Sequence, residues 1–468
     1  MDEVRLEGLI RDSVRRAVGV YSGRLEAGGR EGVFPCMEEA IRAAQKAQRE
    51  LLLLSLEKRE ELIGAIRGAA TQNAGDLARR AVEETGMGRY EDKVQKNLLA
   101  ARKTPGTEDI CPTVRTGDDG LTLTERAPYG VVGAITPSTN PSETVICNGI
   151  GMIAAGNSVV FNPHPGAKRV TQAAVRLLNN AVISRGGPEN LFACAEEPSA
   201  ETGQILMKHP VIRLLVVTGG PEIVRIAMRS GKKAIAAGPG NPPVVVDETA
   251  DINKAAEYIT AGASFDNNLL CIAEKEVFAV GSIMENLKKA LRANGAYELD
   301  SGKLAGLMKH ITVTTEEGQL LINKKYVGKD AGAILRLIGV ETDGKVRLIF
   351  AETDNGHPLV NLEQLMPVLP LVRAKDVDEA IELAVLAEQG NFHTAVMHSM
   401  NVANLSHMAR RANTSIFVKN APSYAGLGFG GEGHTTFTIA SPTGEGLTSA
   451  ITFTRQRRCV LKDQFRIV

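Results

Sequence analysis

Apolar residues return at helical spacing over the first eighteen positions. Leu6, Leu9, Ile10, Val14, Ala17 and Val18 fall on one face. Asp2, Glu3, Glu7, Asp12, Arg5, Arg11, Arg15 and Arg16 fill most of the rest. Residues 19–32 are Gly-rich and carry no apolar period, which predicts a tether. A short amphipathic helix on a tether docks on another surface; the plain alternative is a first helix folded on the domain. From 38 to 95 the period stays helical. Leu51, Leu54, Leu56, Leu62, Ile63, Ile66 and Leu77 supply the buried face, and Gly86 and Gly88 end a helix.

Strands then alternate with helices. Residues 121–125 alternate, 130–135 read as a buried strand ending at Thr136-Pro137, and 158–161 read as another stopped by Asn162-Pro163. A helix over 143–155 lies between them. Helix 170–182, strand 191–195, helix 201–208 and strand 214–218 follow, and Gly219-Gly220 opens helix 222–228 before strand 233–236. After Asn241-Pro242-Pro243 a second unit begins with strand 244–246, helix 252–262, strand 277–280 and helix 283–293. A more variable stretch, 295–347, precedes strand 348–352, helix 377–386, strand 394–398, helix 402–411, strand 415–418 and a strand over 448–460. This alternation predicts an α/β protein with parallel sheets and helices on both faces.

The 468 residues suffice for two or three domains. Lys plus Arg and Asp plus Glu are 54 each, so no basic surplus points to nucleic acid. No apolar run approaches the roughly 18–20 residues of a membrane span, and no secretory signal is visible. Six cysteines without a CxxC pair fit a reduced compartment rather than a disulfide scaffold. The question is whether one of them does chemistry.

Two glycine patterns invite a dinucleotide reading and fail it. Gly149-Ile-Gly151-Met-Ile-Ala154 lies inside a helical run, and no helix follows Gly426-Leu-Gly428-Phe-Gly430-Gly431. Thr218-Gly219-Gly220 is better placed. It follows a buried strand and opens a helix, where free N–H groups can hold a phosphate, although most such turns are structural. His393, His398 and His407 follow no zinc spacing, so no metal site is expected. Cys147 and Cys194 sit in apolar elements as core residues. Cys36 and Cys111 sit in loops without catalytic neighbours, and Cys459, after Arg457-Arg458 in the final strand, reads as a packed or surface thiol. Cys271 differs: it follows Phe265-Asp-Asn-Asn-Leu-Leu270, a non-periodic, amide-rich stretch between a helix and a strand, where a scaffold can present a nucleophile.

These motifs together resemble the aldehyde dehydrogenase superfamily. Ala127-Pro-Tyr-Gly-Val-Val-Gly-Ala-Ile-Thr-Pro-Ser-Thr-Asn-Pro141 is similar to its first strand and active-site turn. Gly156-Asn-Ser-Val-Val-Phe-Asn-Pro163 resembles its next strand, Thr218-Gly-Gly220 its cofactor loop, and Glu363-Gln-Leu-Met-Pro-Val368 its Glu-x-x-x-Pro-Val segment. Ala237-Gly-Pro-Gly-Asn-Pro-Pro-Val-Val-Val-Asp-Glu-Thr-Ala-Asp251, Gly262-Ala-Ser-Phe-Asp-Asn-Asn268, Val418-Lys-Asn420 and Thr452-Phe-Thr-Arg-Gln-Arg-Arg-Cys-Val460 resemble more narrowly the CoA-acylating members of bacterial microcompartments.

The resemblance implies an aldehyde dehydrogenase-like fold. Residues 1–18 would be a targeting helix and 19–33 a linker. Residues 34–236 would form a Rossmann-type cofactor domain with an oligomerisation arm at 112–129, 237–435 a catalytic α/β domain, and 436–468 a C-terminal return and oligomerisation strand. The implied reaction is oxidation of propanal or ethanal to its acyl-CoA with NAD as acceptor, NADP not being excluded. Catalytic roles fall to Cys271 as nucleophile, Thr139 or Asn140 at the oxyanion, and His393 for thiol activation or CoA positioning, a structural histidine being the alternative. Thr136, Pro137, Asn162, Pro163, Thr218, Gly219, Gly220 and Glu363 would hold the cofactor, Glu363 at the nicotinamide ribose.

The hydrolytic relatives carry a general base in a Glu-Leu-Gly-Gly motif; here the matching stretch is Ala236-Ala237-Gly238-Pro239. Without that carboxylate a thioester outlives water and waits for a thiol. The implied partners are the aldehyde, CoA, shell or lumen proteins through residues 1–18, and a second or fourth copy of the chain, with no nucleic acid and no membrane. The implied place is the microcompartment lumen in a bacterial cytoplasm. Competing readings are a non-acylating enzyme releasing the free acid and a catalytically silent lumen protein.

Overall fold

A computed structural model describes residues 31–465. The expected helix at 1–18 and most of the tether lie outside the described residues. The last residues expected in the tether already belong to the fold. Val33 and Phe34 form a short strand paired with Cys194 and Ala195, and Gly32 accepts from Cys194 N at 2.9 Å.

Two parallel sheets organise the chain. The first has six strands in the order Val33–Phe34, Phe192–Ala195, Ser158–Pro163, Val131–Thr136, Ile212–Thr218, Lys233–Ala237. Strand order runs outward from Val131–Thr136 in one direction, then returns and runs outward in the other. The chain therefore opens a crevice beyond the carboxyl ends of Val131–Thr136 and Ile212–Thr218, the switch point where α/β sheets bind ligands. The second sheet has seven parallel strands in the order Ala296–Glu298, Leu348–Thr353, Val368–Ala374, Glu276–Val280, Pro243–Val246, Thr394–His398, Ile416–Lys419. No sequence period marks the Val368–Ala374 strand. Pro370 in its middle hides it, because proline removes a ladder donor and normally marks an edge; here it pairs with Ala351 inside the sheet.

The Pro141–Ala154 helix is buried along its entire length, which explains its weak amphipathic period. Its glycines are packing residues. A Cβ on Gly149 would press on Leu178 and Phe192, and one on Gly151 on Phe453. The second glycine cluster serves as an acceptor set for a lysine: Lys103 donates to the carbonyls of Gly428 and Gly431 at 2.6 and 2.7 Å.

A third, antiparallel sheet stands apart, built from Thr113–Gly117, Gly120–Pro128 and Thr454–Lys462. The C-terminal strand starts later than the 448–460 expected, because Ala450–Phe453 is a helical turn closed by a Ser449–Thr452 capping box. Both outer strands expose nearly all of their residues. Among the described residues no helix is long and apolar enough to cross a membrane.

Candidate active site

A cavity of about 600 Å³ occupies the switch point. Three of its walls carry the expected residues. The turn after the first central strand contributes Pro137 to Asn140, the turn after Ile212–Thr218 contributes Thr218, Gly219 and Gly220, and loops before the Glu276–Val280 and Val368–Ala374 strands contribute Leu269 to Ile272 and Glu363. Cys271, Thr139, Asn140, Glu363 and the Thr218–Gly220 turn, far apart in sequence, share one space.

The nucleophile loop is locally strained. Asp266, Asn267 and Asn268 occupy left-handed backbone conformations in succession, with φ of 47°, 54° and 66°. Asp and Asn tolerate that region better than other non-glycine residues, and runs of it persist only when the surroundings hold them. Here each side chain is tied down. Asp266 Oδ1 accepts from Arg89 N at 2.7 Å. Asn267 Nδ2 donates to Gly328 O and Asp330 Oδ1, each at 2.9 Å. Asn268 Nδ2 donates to Ala263 O at 2.8 Å and Glu274 O at 2.9 Å, and its Oδ1 accepts from Lys275 Nζ. Glu274 is itself gripped by Ser423 N and Oγ at 2.8 and 2.7 Å. Burial pushes the Glu274 carboxyl up to about 7.

Cys271 is partly exposed to the cavity. Loss of solvation pushes its thiol up to about 12; the Glu363 charge adds to this, while Lys275 and the backbone N–H groups of Cys271 and Ile272 oppose it. Glu363 is raised too, by burial, and accepts from Gly240 N at 3.4 Å. The other carboxylate lining the cavity among the described residues, Glu84, is occupied by the backbone N–H groups of Arg169 and Val170. Ala236 packs in the apolar core, while Ala237, Gly238 and Pro239 line the cavity, so the segment 236–239 brings no carboxylate to the site.

The expected cofactor residues divide. Pro137, Thr218, Gly219, Gly220 and Glu363 line the cavity; Thr136, Asn162 and Pro163 do not. The Asn162 carboxamide is committed elsewhere, accepting from Thr202 Oγ1 at 2.7 Å and donating to Ser199 O at 3.4 Å. The residues just beyond it, His164 and Gly166, line the cavity instead, together with Lys324. After Val131–Thr136 and Ser158–Pro163 the first loop residues reach the cavity rather than the strand ends, whereas after Ile212–Thr218 the strand end itself does, a one- or two-residue difference that a sequence pattern does not resolve. Lys324 lies in the stretch with no readable period and left no signal.

A phosphate-bearing cofactor fits the turn at 218–220. A Cβ on Gly220 would meet nothing within 4 Å, so its backbone is open to a ligand, and the Pro221–Met228 helix starts there with its unpaired N–H groups.

His393 does not line the cavity. It is fully buried behind Gly240, with Nδ1 paired to Thr394 Oγ1 at 2.9 Å. Burial and the Lys275 charge push it down to about 4, so the ring is neutral at pH 7, and its Nε2 has no partner among the described residues. His398 stacks on Tyr258 and His407 sits 3.5 Å from Asp378, so the three histidines occupy three separate places. Cys147 and Cys194 are buried and pushed up to about 12 by burial, as inert thiols are.

The aldehyde dehydrogenase family model matches residues 31–453. The acetaldehyde dehydrogenase (acetylating) EutE of Salmonella typhimurium is 52% identical over 439 residues, covering 93% of this chain and 94% of that protein. The propanal dehydrogenase (CoA-propanoylating) of Citrobacter freundii is 47% identical over 468 residues, 100% of both. The solved Rhodopseudomonas palustris propionaldehyde dehydrogenase with bound propionyl-CoA superimposes with a TM-score of 0.91 at 52% identity, covering 93% of this chain and 96% of that one. With a cysteine, an amide turn and a glutamate around one switch-point cavity, and with this match over most of its length, the chain belongs to the aldehyde dehydrogenase family.

Proposed function

We propose that the chain oxidises a short-chain aldehyde, propanal or ethanal, to its acyl-CoA with reduction of NAD+. The observation that carries this reading is the composition of the cavity: a cysteine faces it, and the segment 236–239 supplies no carboxylate to activate water. The relatives' acetylating and CoA-propanoylating activities support it.

Cys271 adds as thiolate to the aldehyde carbonyl, and its sulfur–carbon bond makes a thiohemiacetal. Donors from the 139–140 turn and the Cys271 backbone N–H bear the oxyanion charge; removing one such donor typically costs 10²–10³ in rate, about 3–4 kcal/mol. When bound, the nicotinamide cofactor would supply a hydride acceptor, and Thr218, Gly219, Gly220 and Glu363 would hold it, Glu363 at the ribose. Loss of the hydride leaves a thioester on Cys271. The CoA thiolate then attacks the thioester carbonyl, the Cys271 sulfur leaves as thiolate, and acyl-CoA is released. Propanal and ethanal differ by one methylene, about 1 kcal/mol of burial, so a pocket separates them weakly.

Residues 1–18 serve as the address that brings the enzyme into a microcompartment lumen within the bacterial cytoplasm, and the three-stranded antiparallel sheet pairs subunits as a dimer or tetramer. Its exposed outer strands are the edges that such pairing covers. Deletion of residues 1–18 leaves kinetics nearly intact and abolishes co-purification with shells. Unchanged co-purification refutes the address.

The direct test is NADH formation from propanal with CoA. Cys271→Ala and Cys271→Ser abolish it, and retained full activity sinks the assignment. Product analysis with and without CoA separates acyl transfer from release of the free acid, and absence of NADH formation by the unaltered chain with every C2 to C4 aldehyde identifies a silent protein.

A further inference from the structure

Behind the 139–140 turn lies a group of buried charges that the reaction above does not use. Lys93 and Lys96, one turn apart on the Tyr90–Lys103 helix, are both fully covered, as are Asp266 and Glu143. Lys96 Nζ lies 2.5 Å from Asp266 Oδ2, 3.4 Å from Glu143 Oε1 and 2.6 Å from Asn140 Oδ1. Lys93 Nζ lies 3.1 Å from the same Asp266 oxygen and 3.2 Å from Thr139 O. Burying four charges is expensive, and such groups persist when hydrogen bonds satisfy them and when they hold something in place.

What they hold is the turn. An ammonium has donors and no acceptor, so an asparagine facing it can offer only its carbonyl oxygen. Lys96 therefore decides the orientation of the Asn140 carboxamide. Its NH₂ then points the other way, donating to Thr139 Oγ1 at 3.1 Å. The result is a hydrogen-bond chain of one sense: Lys96 to Asn140 to Thr139. Each member polarises the next. It leaves the second Asn140 N–H and the Thr139 hydroxyl hydrogen as donors at the cavity wall that also carries Cys271. Asp266 adds the second link, since it belongs to the strained run leading to Cys271 and pairs with both lysines. Charge balance keeps Lys96 protonated: burial lowers its pKa, but Asp266 and Glu143 together raise it above the ordinary lysine value.

We propose that Lys96, held by Asp266, is a positioning residue that orients the Asn140 carboxamide as an oxyanion donor and locks the 139–140 turn in register with the Cys271 loop. This rests on the reaction proposed above. The unaltered enzyme's activity tests that reading, and the variants below, each read as a ratio to it, test this one.

The experiment is a double-mutant cycle on the full chain, with Lys96→Met, Asn140→Ala and both together, assayed for NADH formation from propanal with CoA. Lys96→Met is expected to lower kcat about 10- to 100-fold, the scale of a misaligned oxyanion donor, with KM for aldehyde and NAD+ within about threefold. In the Asn140→Ala background the same change is expected to cost less than about threefold more. A purely structural lysine gives multiplicative losses in the cycle, and that result overturns the proposal. Lys96→Met leaves Asp266 short of a partner and could unfold the chain. The neutral pair Lys96→Met/Asp266→Asn is therefore the second variant. If it folds with kcat near that of the unaltered enzyme, the proposal fails; a folded pair with the same kcat loss and unchanged KM supports it.

Discussion

Gly240 stands directly against Cys271. A Cβ built on Gly240 would lie 2.6 Å from the Cys271 carbonyl oxygen and 3.0 Å from His393 Cγ. The nucleophile's backbone, a glycine of the segment between Lys233–Ala237 and Pro243–Val246, and a buried imidazole are thus packed without room for one methyl group. Gly240→Ala must push the Cys271 loop toward the cavity, because the histidine behind it is fully enclosed. Misplacement of a reacting atom by about 1 Å costs on the order of 10²-fold. The expected result is a fall in kcat of about 10- to 100-fold in a chain that still gives native circular dichroism. A kcat within twofold of the unaltered enzyme contradicts the packing described.

The thiol of Cys271, pushed up to about 12, is mostly protonated at neutral pH. Its alkylation by iodoacetamide, measured without substrate, should rise about tenfold per pH unit from 7 to 9, following the thiolate fraction. Glu363 contributes to the upward push through its charge. Glu363→Gln removes that charge, favours the thiolate and should speed alkylation several-fold at fixed pH. A rate that levels off below pH 9, or slows in the Gln variant, is the contrary outcome.

Glu276 opens the central Glu276–Val280 strand fully buried, and neither carboxylate oxygen has a hydrogen-bond partner among the described residues. Burial raises it well above the carboxylate range; Lys275 opposes and Glu388 adds to the rise. The folded chain therefore holds this proton more tightly than the unfolded chain does. The stability it contributes is intact below the unfolded value of about 4.3 and is lost progressively as pH rises toward the folded one. Glu276→Gln carries no such proton. Its urea midpoint relative to the unaltered chain should move upward between pH 5 and pH 8. A difference that does not change with pH refutes the assignment.

The cysteines sort by access. Cys111 and Cys459 are exposed, whereas Cys147 and Cys194 are buried. A thiol-reactive dye applied to the native chain at pH 8 should label Cys111 within minutes and reach Cys147 and Cys194 only in denaturant. Rapid native labelling of Cys194, paired on one side with Val33 and on the other with Phe161, is incompatible with the strand pairing seen.

Much of the architecture is legible in the sequence because it rests on local periods. Runs such as Val131–Thr136 and Ile212–Thr218 are continuous apolar strands, and the intervening helices carry their own caps, as Ser199, Asp251 and Asp376 do. Cys271 stands out among six cysteines because an amide-rich break precedes it, and the structure gives that break its physical content in three successive left-handed residues. The motif resemblance brought in Glu363 and the 137–141 turn, which no period marks.

Tertiary structure alone decided the rest. Pro370 obscures a central strand whose place depends on two neighbours more than on its own composition. Asn162 differs from His164 as a cavity residue only through the direction in which a strand end turns. His393 is neutral and enclosed because of what packs around it, which its sequence neighbours do not reveal. The link from Lys96 to Asn140 and Asp266 spans 44 and 170 positions, and no local pattern encodes it. Local spacing determines which elements form; desolvation, charge pairing and the orientation of one carboxamide are set only when distant segments enclose the same small volume.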